Sequence, residues 1–89
     1  LHYNLKQIDM ELTIKQTRRN FAIKNNLLEL LGKKLTEKEV IAILNRLGIK
    51  AKMCVDSLDK DHFFELTGLN MFGKHNVDKN EMEFEINEL

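Results

Sequence analysis

The sequence predicts a mostly α fold, a helix-loop-helix pair whose two loops meet in a short antiparallel β ribbon. Three observations point there. Thr36 stands where an N-cap hydroxyl accepts from free helix amides, Glu39 is placed to complete a capping box, and Val40, Ile43, Leu44 and Leu47 then recur on one helical face before Gly48 stops it. Further apolar sets lie on either side, Leu5, Ile8 and Leu12 before it and Phe63, Phe64, Leu66, Leu69, Met71 and Phe72 after it. Between them, Phe21 and Ile23 alternate with polar neighbours and Val55 stands alone in a lysine-rich loop, which suits a ribbon pairing Phe21 with Val55. The absence of proline leaves the helices free to run on.

The stretch Leu31-Gly32, Lys33-Lys34, then Leu35-Thr36 through Glu39-Val40 resembles the calmodulin and light-chain branch of the EF-hand superfamily. That resemblance implies a loop with Gly48 first, Val55 eighth and Asp59 twelfth. Calcium needs oxygens at alternate positions and a bidentate carboxylate at the last. Here the ligand places hold Gly48, Lys50, Lys52, Cys54, Asp56 and Asp59, so two ammonium groups take the cation's site and the hand reads as calcium-independent. On the same resemblance residues 1–72 form an EF-hand-like pair, and 73–89 form an acidic partial third hand or an edge strand.

In chain order, 1–12 is an amphipathic entering helix, and Thr13 to Lys24 is a basic segment with a short extended piece. Asn25 to Leu31 is too dense in leucine for a helix with one wet side. It is either deeply buried or shows apolar surface to a partner. Leu35 is placed to staple against Val40 around the Thr36 cap. Asp56, Asp59 and Asp61 precede a helix that runs through Phe63 to Phe72, with Gly68 weakening its middle by about 1 kcal/mol relative to alanine. As caps and dipole partners these carboxylates need no catalytic role.

Gly73 to Asn80 reads as a loop. Met82, Phe84 and Ile86 then alternate with Glu81, Glu83 and Glu85 at a period of two. An expanded last loop could gather Asp78, Asn80, Glu83 and Glu88 around calcium. The plainer reading is an acidic edge strand kept soluble by its glutamates.

With 89 residues, 43% hydrophobic and 31% charged, the chain is sized and composed for one small globular domain. No apolar run approaches the roughly 20 residues that span a bilayer, and the polar residues throughout 1–12 do not form a secretory signal. A first residue other than Met fits a chain that begins inside a longer one. A single cysteine excludes an internal disulfide and favours a reducing, intracellular and cytoplasmic setting, with Cys54 read as a buried small residue beside Val55.

Net charge is zero but uneven. From Leu12 to Lys52 there are ten basic and three acidic residues, and from Met53 to Leu89 three basic and nine acidic. His2, His62 and His75 have no companions at zinc spacing, and no phosphate loop or nucleophile elbow is present, so the chain is read as no enzyme and as needing no cofactor.

The leading functional expectation is a non-catalytic protein-interaction module, holding a partner helix or a segment of its own longer chain. Its contact would be lined by Leu27, Leu28, Leu31, Phe63, Phe64, Leu69, Met71 and Phe72. The alternative is a basic-faced helical module of the translation machinery. The stretch Leu44 to Leu66, with Leu-Asn-Arg-Leu-Gly-Ile-Lys-Ala-Lys followed by Met-Cys-Val-Asp-Ser-Leu-Asp, is similar to the N-terminal module of bacterial translation initiation factor two and echoes the B5 module of phenylalanyl-tRNA synthetase. Lys15, Arg18, Arg19, Lys24, Lys33, Lys34, Lys50 and Lys52 would then contact phosphates. A solvated surface explains the same lysines and arginines without any nucleic acid, which is the preferred reading.

Overall fold

Strand and helix share this chain: a computed structural model describes the backbone of residues 2–52 and 54–88 and the side chains of 13–52 and 54–88. Helix α1 covers His2–Lys24, strand β1 Lys34–Thr36, helix α2 Glu37–Arg46, helix α3 Ser57–Thr67, and strands β2 Leu69–Asn76 and β3 Glu81–Glu88. The three strands form one antiparallel sheet in the order β1-β3-β2. This α+β arrangement replaces the expected EF-hand-like pair. Phe21, placed in a ribbon by its alternation with Ile23, is instead helical, and it packs half-buried beside buried Ala22 while Ile23 is exposed. Arg18, Phe21 and Ala22 share one face at three- and four-residue spacing, and that period won over the two-residue one. Val55 lies outside every strand, half-buried against the core, so no ribbon joins it to Phe21.

Helix α1 contains neither proline nor glycine and ends where Asn26 takes a left-handed conformation (φ 58°), one that asparagine tolerates better than most residues. The backbone N–H and side-chain Nδ2 of Asn25 both donate to the Phe21 carbonyl, at 3.1 and 2.9 Å, and close the last turn. The leucine-dense stretch then forms a single tight 3-10 turn, Leu27–Leu30. Leu27 is fully buried, and Leu28, Leu30 and Leu31 pack half-buried against the same core. The packing of Leu5, Ile8 and Leu12 lies outside the described side chains.

Thr36 ends β1 and caps α2. The Glu39 amide donates to its Oγ1 at 3.3 Å, and its own amide donates to Glu39 Oε1 at 3.2 Å, so the capping box forms as the sequence predicts. Val40 and Leu44 are fully buried, with Ile43 and Leu47 packed partly beside them. At the other end Gly48 (φ 83°) donates to the Asn45 carbonyl and Ile49 to the Leu44 carbonyl, the paired bonds of a Schellman stop, with Ile49 buried against the core. What the resemblance placed as a cation loop is therefore a helix stop, an irregular link and the first turn of α3. Within that link Cys54 is exposed rather than buried, while its neighbour Val55 occupies the apolar side.

Asp56 caps α3, its Oδ1 accepting from the Asp59 amide at 2.9 Å. Asp59, Phe63 and Thr67 face inward at four-residue spacing. The helix stops at Thr67 rather than running to Phe72. The Thr67 hydroxyl donates to the Phe63 carbonyl at 2.7 Å and accepts from the Leu69 amide at 3.0 Å, and Gly68 (φ 73°) turns the chain between them. Gly68 is thus an end signal and not a flaw in mid-helix. Leu69 and Met71 become the buried positions of β2.

Beyond it, residues expected as a loop from Gly73 continue the strand to Asn76, and only 77–80 turn. Asn76 Oδ1 accepts from the Lys79 amide at 3.1 Å and Asn80 adopts φ 52°, which closes the hairpin. The alternation of Met82, Phe84 and Ile86 does mark a strand, but β3 is the central one, paired on both sides, and neither an edge nor half of a third hand. The boundary drawn between 72 and 73 falls inside β2. On the buried face Met71 opposes Ile86, and Gly73 opposes Phe84, whose ring crosses the glycine so closely that an added Cβ would lie 2.9 Å from it.

Candidate functional site

Helix α1 runs beside the corner where α3 gives way to β2, and the two leave a groove of about 350 Å³. Lys15, Arg18 and Arg19 line one wall, at the spacing that brings side chains onto one helical face. Ala22, Leu28, Phe64 and Leu69 supply apolar surface below them, with Thr67 and Gly68 at the corner. Arg18 is half-buried: its Cβ and Cδ come within 3.8 Å of where a side chain on Gly68 would begin, so its stem lies along the corner. At the mouth Arg19 Nη1 meets Glu88 Oε1 at 3.4 Å in an exposed ion pair. A second cleft of about 340 Å³ lies between the start of α2 and the hairpin, lined by Thr36, Glu37, Lys38, Glu81 and Met82, and carries mixed charge.

The expected interface residues fall mostly inside the protein. Leu27, Phe63, Leu69 and Met71 are buried core, Leu28, Leu31 and Phe64 are half-buried, and Phe72 alone of the set is exposed, at 56%. Their apolar excess is spent on one another, because the strand segment folds back over α3 and the leucine turn. The proposed calcium ligands do not converge. Asp78 and Asn80 sit in the hairpin turn, Glu83 accepts from Asn76 Nδ2 at 2.7 Å, and Glu88 is at the far end of β3 beside Arg19. Five residue-to-residue steps of extended strand separate Glu83 from Glu88, about 17 Å. Among the described residues no group of three or more His, Cys, Asp or Glu side chains is placed to hold a metal.

Nor do the basic residues make one surface. Lys15, Arg18 and Arg19 share the groove, Lys34 Nζ lies 3.9 Å from Glu83 Oε2 on the sheet, and Lys50 and Lys52 belong to the link after α2. The groove itself escaped sequence reasoning. Its one legible signal was the spacing of 15, 18 and 19 along a stretch free of helix breakers, and that stretch had been assigned partly to a strand.

The order helix, strand, helix, helix, strand, strand, with the first strand paired to the last, is also the element order of a helix-turn-helix carrying a β-hairpin wing. In proteins that carry that motif its second helix, which stands at the place of α3 in the element order, enters the nucleic acid groove. The solvent side of α3 carries Leu58, Asp61, His62 and Glu65, and the link from α2 covers 47–56 rather than a tight turn. The chain matches no protein-family model, no curated protein and no solved structure. No described helix is long and apolar enough to cross a membrane.

Proposed function

We propose that this chain is a non-catalytic protein-interaction module built on a winged helix-turn-helix scaffold, holding a partner segment or a neighbouring segment of a longer chain. The observation that carries the reading is the sign of charge on α3. A helix that enters a nucleic acid groove brings cations to a lattice of phosphates. Here Asp61 and Glu65 stand exposed on that helix, while the hairpin sets Lys74 and Lys79 against Asp78 and Glu81, so α3 offers phosphate no cationic face. A groove with an apolar floor and a charged rim suits a protein segment, whose anchors gain from burial while polar atoms pair at the edge. A reducing, cytoplasmic setting fits an exposed, unpaired thiol at Cys54.

The element order favours a second reading, nucleic-acid binding, in which α1 and not α3 supplies the cations. Filter binding against tRNA and duplex DNA at low salt separates the two. The interaction reading expects no retention. Retention that falls steeply with added salt, and that Arg18→Glu abolishes, would establish the second reading instead.

A further inference from the structure

We infer that the groove between α1 and the α3–β2 corner receives an acidic amphipathic peptide segment of a partner protein, its apolar anchor on Leu28, Phe64 and Leu69 and its flanking carboxylates on Lys15, Arg18 and Arg19. This names the partner chemistry of the interaction reading above and rests on it. The first support is the composition of the groove. A floor of leucine and phenylalanine under a wall of three cations is complementary to a chain in which apolar and acidic residues alternate, and a volume of about 350 Å³ accepts one or two side chains.

The second support comes from the molecule's own carboxylate. Glu88 already reaches the rim and sets Oε1 3.4 Å from Arg19 Nη1, so an acid arriving at this mouth meets a guanidinium in pairing geometry. Among the described residues, no carboxylate comes within ion-pair distance of Lys15 or Arg18. A basic segment would meet these cations and be repelled. A phosphate chain would leave the apolar floor of Leu28, Phe64 and Leu69 uncovered, whereas a peptide's apolar anchor buries it.

Fluorescence anisotropy on the intact chain tests this with three labelled probes: a peptide alternating Leu and Phe with Asp, its counterpart with Lys for Asp, and a duplex DNA oligonucleotide. The acidic peptide is expected to bind, and Arg18→Glu, or Lys15→Glu together with Arg19→Glu at exposed positions, weakens it by about tenfold or more. Val77→Ser, in the exposed hairpin turn, leaves binding unchanged, and melting temperatures show that the variants stay folded. No binding of the acidic peptide, or binding indifferent to both charge reversals, overturns the inference. Binding of the basic peptide that Asp61→Lys with Glu65→Lys abolishes overturns the groove assignment but keeps the interaction reading. Duplex binding in place of both peptides overturns both. A concentration-dependent dimer lost in Arg18→Glu, seen by sedimentation, overturns the choice of occupant by showing that a second copy fills the groove.

Discussion

The two flanks of this molecule share one core and present opposite charge. On one, α1 sets Lys15, Arg18 and Arg19 over an apolar groove; on the other, α3 turns Asp61 and Glu65 to solvent. Topology is common to both, so topology does not choose the ligand. On the reading proposed above, the sign of the exposed side chains does, and it places binding on α1 rather than on α3.

The strongest way to break the comparison is to remove what both flanks stand on. Phe63 is fully buried between them, and Phe63→Ala is expected to cost about 3–5 kcal/mol in urea unfolding, with signals from α1 and from the hairpin lost in one transition. Two separate transitions would show that the flanks do not share a core. Next in size is Gly73→Val. A side chain there drives into the Phe84 ring, so about 1–3 kcal/mol is expected, confined to the hairpin flank, and hydrogen exchange in β2 and β3 should rise before that in α1. An unchanged midpoint would mean that the ring does not lie over the glycine. Thr36→Ala, which removes the cap of α2 and leaves its backbone pairing with β3 in place, should cost about 1 kcal/mol by the same unfolding measurement.

The smallest expected effect on stability carries the sharpest functional test. Asp61→Lys with Glu65→Lys replaces exposed side chains and should shift unfolding by no more than about 0.5 kcal/mol. Yet it turns the acidic helix cationic, and low-salt retention of duplex DNA should appear. If none appears, charge alone is not what separates this chain from a nucleic acid reader.

Local signals were legible where one residue type has one job. The Thr36 and Glu39 box, the apolar face of α2 and the Gly48 stop can all be read from spacing, because caps and glycine turns are decided within a few residues. The failures lie where tertiary contacts arbitrate. Leu69, Met71 and Phe72 follow Phe63 and Phe64 closely enough to extend a helical pattern, and only the hydroxyl of Thr67 with Gly68 behind it turns them into a strand. The framework match to a calcium-binding hand failed for the same reason, since a capped helix, a glycine and a following carboxylate serve any helix-to-helix link. As for the groove, its cations are distant in sequence from Phe64 and Leu69, and only the packing of α1 across the corner brings them together.

The middle position of β3 has a consequence for how the molecule is made. Lys34 must find Glu85, and β2 must find the same strand, so neither earlier strand gains a partner until the last of the three has been synthesised. As the chain leaves a ribosome, α2 can acquire its cap at once, while the sheet waits on a pairing between strands far apart in the chain, the kind of contact that slows assembly. A chain interrupted before residue 81 would keep the local instructions for its helices and have no sheet to lay them on.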